Sequence, residues 1–184
     1  MKIASFLLPF FLGASLQAQL LEKTELHSFK HKFSRVFIYG EYERVFFTLE
    51  KFHYPELDST EYFVRVGVRV TNVEPHPDPD VVVPVVQSAY RDQYLLLDEF
   101  EKLIRFVQSG RAFKNEPFTA PVARSLPITD ALSVEWSRPK RNRMRFGFQL
   151  YDLKFYDNET QTLEFYRKLG MLWREIERLP GREL

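Results

Sequence analysis

Five positively charged side chains lie within eight residues of one another, at Arg138, Lys140, Arg141, Arg143 and Arg145. Such a local concentration of cations can attract an anionic partner even where the whole protein carries no excess charge. The alternative is that a solvated hairpin tip and an edge strand carry positive charge only to prevent edge-to-edge pairing. Acidic side chains that neutralise these cations would favour this alternative.

Histidine and carboxylate residues with the spacing of metal ligands occur in two other segments. His27 and His31 are four residues apart, and His76 lies close to Asp78 and Asp80 in a proline-rich stretch. His27 and His31 have no evident third ligand. In the extended proline-rich segment, residues two apart converge on one cation less reliably than they do in a dedicated loop. The sequence therefore predicts no metal site, and it predicts that His27 and His31 are solvated on a polar face.

Catalytic residues are not evident in the spacing of the nucleophiles and bases. Ser125 and Ser133 lie in no nucleophile motif, and all four histidines fall in the first half of the chain. No phosphate-binding loop or cofactor-binding motif is present either, so no catalytic residue and no cofactor is predicted. A hydrolase with dispersed catalytic residues stays an alternative, and it would require His53 to meet a buried carboxylate in a cleft.

The first eighteen residues have the order of a secretory signal peptide. Lys2 precedes an apolar run from Ile3 to Leu12, and small residues follow up to Ala18. The run is shorter than the ~20 residues needed to span a membrane. We therefore expect cleavage near Ala18, a mature single domain of residues 19–184, and a location in the periplasm or outside the cell.

Composition narrows the class of protein further. The chain has no cysteine, which excludes disulfides, thiolate metal sites and cysteine catalysis, and which suggests a bacterial origin for an exported protein. It has 26 basic and 25 acidic residues, and Lys2 is the only charged residue in the signal segment. The mature chain is then neutral (25 against 25), which gives no support for nucleic-acid binding or for general attraction to anionic lipid.

Two helices and several strands can be predicted from periodicity. Asp98 and Glu101 form a potential capping box at the start of a helix that ends by Gly110. Asn158 or Thr160 caps the last helix, which runs to about Leu179 and contains Gly170, a residue that suggests a close approach to the sheet. Leu103 and Leu172 are expected in the core. The predicted strands occupy Val36–Tyr39 and Arg44–His53 as one hairpin, Tyr62–Val70, Ala89–Leu97, and Ala131–Trp136 with Met144–Tyr151 as another hairpin.

Three segments are less regular in sequence. Residues 19–32 fit a short helix or an irregular arm, residues 74–80 fit an exposed proline-acid loop, and residues 111–129 fit an irregular crossover. The overall prediction is an α+β fold, with a mostly antiparallel sheet and two amphipathic helices packed on one face. A division into two similar strand–strand–helix halves stays open.

These features favour an exported, non-enzymatic binding or structural module of the bacterial cell envelope. Its expected partner is an envelope protein or another anionic molecule, with the five clustered cations as the first residues to test. The 18 phenylalanines suggest an alternative, in which the sheet forms a cup that holds an apolar ligand.

Overall fold

The computed structural model describes residues 21–33, 35–37, 41–74 and 85–180, so the predicted signal peptide and most of the proline-acid loop lie outside the described residues. Within these ranges the chain forms nine strands, a short 3-10 helix at Pro55–Leu57 and two α-helices. The elements are β1 (Glu22–His31), β2 (Arg35–Phe37), β3 (Glu41–Tyr54), β4 (Ser59–Glu74), β5 (Val85–Leu95), α1 (Leu97–Asn115), β6 (Val122–Pro127), β7 (Leu132–Lys140), β8 (Arg143–Leu150), β9 (Leu153–Asn158) and α2 (Glu159–Glu177).

All strand pairs are antiparallel, and the strands divide into two sheets. Sheet 1 has the order β1-β3-β4-β5, and sheet 2 has the order β2-β9-β8-β7-β6. In sheet 1, β4 buries Val64, Val66, Val68 and Val70 on one face, as the alternation predicted. The α+β class with antiparallel strands is confirmed.

The hairpin predicted between Val36–Tyr39 and Arg44–His53 is wrong. The first of these segments contains β2, which pairs with β9 in sheet 2, whereas β3 pairs with β1 and β4 in sheet 1. Composition identifies a strand, but the partner is decided by which neighbouring edge is free. Both edges of β3 are already filled, so β2 joins the other sheet.

Along the chain, α1 follows the last strand of sheet 1, and α2 follows β9 of sheet 2. Helix α1 packs on β4 and β5 of sheet 1 and also on β7, while α2 packs on β1 and on β8 and β9 of sheet 2. The two helices also contact each other, so each helix joins both sheets. Leu103 of α1 and Leu172 of α2 are completely buried, which confirms their predicted place in the core.

Strand β1 replaces the helix or arm predicted for residues 19–32. Its register with β3 shifts between Glu25 and His27, which is a β-bulge that interrupts the alternation of side chains. After the bulge, His27, Phe29 and His31 are cross-strand partners of three buried residues of β3, namely Leu49, Phe47 and Val45. Leu26, the extra residue at the bulge, is exposed, and Phe33 lies beyond the end of β1, so the helix-like spacing of Leu26, Phe29 and Phe33 does not mark one buried face.

The ends of α1 differ from those predicted. The main-chain N–H of Leu96 donates to the Glu99 carboxylate at 2.8 Å, so the cap lies two residues before the predicted pair. The helix continues through Gly110 to Asn115. At the start of α2 the prediction is confirmed, because Asn158 Oδ1 accepts from the N–H of Gln161 at 3.0 Å.

The crossover predicted as irregular at residues 111–129 contains the end of α1 and the edge strand β6. The hairpin predicted next to it is confirmed, since β7 and β8 pair in register from Leu132 opposite Leu150 to Trp136 opposite Phe146. The segment after this hairpin forms a separate strand, β9, which returns along β8.

Phenylalanine rings fill the region where the two sheets and α2 meet. The Phe165 centroid lies 5.5 Å from the Phe33 and Phe47 centroids and 5.8 Å from that of Phe146. All four residues are buried, and aromatic pairs at these separations stabilise a core beyond the area they bury. These four of the 18 phenylalanines therefore serve the packing of the core.

Candidate functional site

The clustered cations lie on the β7–β8 hairpin, and residues 138–145 form the basic hairpin. Lys140 is opposite Arg143 beside the two-residue turn, and the register shifts between Ser137 and Lys140. The side chains of Lys140, Arg141 and Arg143 are exposed, and that of Arg145 is half-buried.

Arg138 differs from the other four cations because it is buried. Its guanidinium donates to the main-chain oxygens of Glu116 at 2.7 Å, Phe113 at 3.3 Å and Arg141 at 3.2 Å. It also lies 5.2 Å from the centroid of the Phe118 ring. The last carbonyls of a helix lack partners within the helix and carry partial negative charge, so a cation stabilises them. Arg138 therefore ties the hairpin to the C-terminal end of α1.

The remaining cations of the hairpin have no acidic partner in the described part of the chain. Neither Asp nor Glu lies within 4.0 Å of their charged nitrogens there. Arg124 on the neighbouring strand β6 provides a contrast, since it forms an ion pair with Glu116 at 2.8 Å. Three of these cations, Lys140, Arg141 and Arg143, thus lie at or beside a turn that is held in place by a hydrogen bond from Arg138. Arg145 lies further along β8, opposite Ser137.

A second cluster of charge lies on the outer face of sheet 1. Val45, Phe47 and Leu49 of β3 face the core, so Glu50 belongs to the opposite face, where it is nevertheless 2 % exposed. Lys23 Nζ lies 2.8 Å from Glu50 Oε2.

The pairing continues across the sheet. Arg65 Nη1 lies 3.9 Å from Glu50 Oε1, and two other nitrogens of Arg65 contact Asp92. The series Lys23, Glu50, Arg65, Asp92 alternates in sign and is neutral overall, and charged groups shielded from water require such pairing. Local sequence patterns do not reveal this series, because its members come from four different strands.

Aromatic rings support the same series. Lys23 Nζ donates to the Tyr94 hydroxyl at 2.9 Å and lies 5.6 Å from the centroid of the Phe52 ring. Burial alone lowers the pKa of Lys23, but the hydrogen bonds to Glu50 and Tyr94 more than offset it and raise the pKa above 10.5. These cations are already satisfied by carboxylates and rings, unlike those of the basic hairpin.

His31 and Asp157 form a buried pair that joins the two sheets. His31 Nε2 of β1 lies 2.6 Å from Asp157 Oδ2 of β9, and the two side chains are 2 % and 0 % exposed. The His31 ring packs against the rings of Phe33 and Phe165. The prediction of a solvated polar face is therefore wrong for His31, because a partner 126 residues away brings it into the core.

The hydrolase alternative required His53 to meet a buried carboxylate. His53 and Glu50 are an odd number of positions apart in a strand with continuous pairing, so their side chains belong to opposite faces. His53 Nδ1 instead lies 3.1 Å from the main-chain oxygen of Ser59. His53 therefore does not meet the carboxylate of Glu50.

No group of three or more His, Asp or Glu side chains within the described residues is arranged to hold a metal ion. Neither helix in these ranges is both long and apolar enough to cross a membrane. No protein-family model, curated protein or solved structure matches the chain.

Proposed function

We propose that this protein is an exported, non-enzymatic binding module of the bacterial cell envelope, which holds an anionic partner through Lys140, Arg141, Arg143 and Arg145. One observation carries the proposal: these four cations have no acidic partner in the described residues. The fifth cation of the hairpin, Arg138, instead donates hydrogen bonds to main-chain oxygens. Export is supported by the charge, apolar run and small residues at positions 1–18.

The expected partner carries several negative charges close together. A single exposed ion pair contributes only ~0.2–1 kcal/mol, so one carboxylate or phosphate would bind weakly. The free energies of several ion pairs formed at once add up to a stronger interaction. The hydrogen bond from Arg138 to the main-chain oxygen of Arg141 already orders the turn, which lowers the entropy cost of binding. An acidic protein surface or another multiply charged anion fits this requirement.

Charge reversal at the hairpin tests the proposal. The double variant Arg141→Glu, Arg143→Glu should lose its partners in pull-downs from an envelope extract, and it should bind a polyglutamate peptide at least about tenfold more weakly than the wild type. Wild-type binding should also weaken as salt rises, because the Debye length is only about 8–10 Å near physiological ionic strength.

The matched control reverses two exposed arginines on the helices, Arg111→Glu and Arg167→Glu, which produces the same change in net charge. It should retain both the partners and the peptide affinity. An equal loss of partners and peptide affinity in both double variants would show that binding depends on net charge alone, and would reject the hairpin as the binding site. An unchanged partner list after charge reversal at the hairpin would reject it too. Turnover in a broad hydrolase screen would overturn the non-enzymatic part of the proposal.

A further inference from the structure

An open groove of about 450 Å³ lies where the two sheets approach each other, away from the basic hairpin. One wall is the edge strand β5 of sheet 1, and the other is the turn between β8 and β9 of sheet 2. The hairpin tip is at the opposite end of β8. The lining residues are Tyr90, Arg91, Asp92, Tyr151 and Asp152.

Both walls are held in place by contacts between them. Tyr151 has a φ of 54°, because it is the first residue of the two-residue turn between β8 and β9, where such turns take a positive φ. Its hydroxyl donates to the main-chain oxygen of Asp92 at 3.0 Å, and its N–H donates to that of Ala131 at 2.6 Å. The Asp92 carboxylate forms an ion pair with Arg65 of the neighbouring strand β4. The groove is therefore preorganised.

The charges around the groove cancel. Asp92 is neutralised by Arg65, and in the described residues Arg91 and Asp152 each line the groove without forming an ion pair. The sum over these four side chains is zero, so the groove favours neither an anion nor a cation. It offers guanidinium donors and carboxylate acceptors side by side, which suits a neutral ligand that both donates and accepts hydrogen bonds.

The two tyrosines add apolar surface to this polar lining. Tyr90 is 61 % exposed and Tyr151 is 44 % exposed, although large rings are more usually covered. The Arg69 guanidinium lies 5.9 Å from the centroid of the Tyr90 ring and supports it on the sheet. Each tyrosine combines an apolar body with a polar hydroxyl, so its ring can pack against a ligand that is apolar on one face and polar at its rim.

We infer that this groove binds a short, neutral carbohydrate. A pyranose ring presents C–H groups on its faces, which pack on tyrosine rings, and hydroxyls at its rim, which donate to carboxylates and accept from guanidinium groups. The groove is open to solvent, so the sugar would lie along it with one side exposed. Binding here is independent of the anionic partner proposed for the basic hairpin.

Titration of the isotope-labelled protein with cellotetraose, mannotetraose and N-acetylchitotetraose, followed by amide chemical shifts, tests the inference. At least one sugar should shift the amides of residues 90–92 and 151–152. Tyr90→Ala should weaken that binding about tenfold or more. Leu163→Ala is the control, because Leu163 is an exposed apolar side chain on α2 that does not line the groove; it should change the affinity by no more than about twofold.

Added salt and the hairpin variant separate this site from the basic hairpin. Binding of a neutral sugar should be insensitive to salt and unchanged by Arg141→Glu, Arg143→Glu. The inference is overturned if none of the sugars shifts these amides, if Tyr90→Ala binds as well as the wild type, or if spermidine or inorganic phosphate shifts them and no sugar does. Because Tyr90 is largely exposed, its replacement should leave the fold intact, which far-ultraviolet circular dichroism can confirm.

Discussion

The same substitution, glycine to alanine, is expected to have opposite effects at two positions in the helices. Gly110 lies in α1 against the β7 side of the core, and Gly170 lies in α2. Alanine is favoured over glycine in a helix by about 0.8–1 kcal/mol, and this gain applies at both positions. The difference must come from the space that each new methyl group meets.

At Gly110 the space is already occupied by the Trp136 indole. A Cβ atom there would lie 2.7 Å from Trp136 Cη2 and closer still to two other ring carbons, where ordinary contacts are 3.4–4 Å. The indole is 4 % exposed, and its Nε1–H donates to the main-chain oxygen of Phe106 at 2.9 Å, so it cannot move away freely. Overpacking costs ~1–3 kcal/mol and the strained hydrogen bond ~1 kcal/mol. After the helix gain, Gly110→Ala should destabilise by roughly 1–3 kcal/mol.

At Gly170 the space is open, since no atom would lie within 4 Å of an added Cβ. The close approach to the sheet that the sequence suggested is therefore wrong. Only the helix gain remains, so Gly170→Ala should stabilise by roughly 0.5–1 kcal/mol.

Urea unfolding followed by far-ultraviolet circular dichroism measures both changes. The midpoint should fall for Gly110→Ala and rise for Gly170→Ala at an unchanged dependence on denaturant, and the thermal midpoints should differ in the same sense by about 2–4 °C per kcal/mol. The double variant should show the sum of the two changes, because the positions share no partner. A neutral or stabilising Gly110→Ala would refute the placement of Trp136 against α1.

Asp157→Ala should destabilise by about 1–3 kcal/mol in urea unfolding, because it leaves a ring nitrogen of the buried His31 without its hydrogen-bond partner; a loss below about 0.5 kcal/mol, the usual surface range, would contradict the pair. Arg138→Met should cost about 1.5–3 kcal/mol through unpaired carbonyls, whereas Arg141→Met should change stability by less than about 0.5 kcal/mol, and equal effects would contradict the distinction between them. The raised pKa of Lys23 means that its stabilising contribution is present below pH 10.5 and is lost as the pH rises through the raised pKa. Because 38 % of that side chain is exposed, the contribution is limited to ~0.2–1 kcal/mol, and a difference between wild type and Lys23→Met that did not narrow at alkaline pH would contradict it.

Local residue order determined most of the elements. The alternating valines between Tyr62 and Val70 predicted β4, the cap at Asn158 predicted the start of α2, and the apolar stripes placed Leu103 and Leu172 in the core. Each of these features depends on residues only a few positions apart, so periodicity and capping chemistry are sufficient to identify them.

The candidate sites were predicted only in part. The sequence located the basic hairpin, but it could not separate the buried Arg138 from the exposed Arg141, since the partner Glu116 lies 22 residues earlier. It missed the groove completely, because Asp92 and Tyr151 are 59 residues apart and neither belongs to a motif. Packing, rather than local composition, assembles both walls.

The remaining features were decided by the tertiary structure. Strand composition marks β2 and β3 as strands, but only the folded chain assigns them to different sheets, because strand pairing depends on which edges are left free by all the others. The sequence predicts Gly110 as the end of α1, but the helix continues past it, and the glycine leaves space for the indole of Trp136, 26 residues later. The sequence predicts that His31 is solvated, but in the folded chain it is buried and paired with Asp157 of the other sheet. In each case the deciding free energy comes from a contact between distant segments, which a local pattern of residues does not encode.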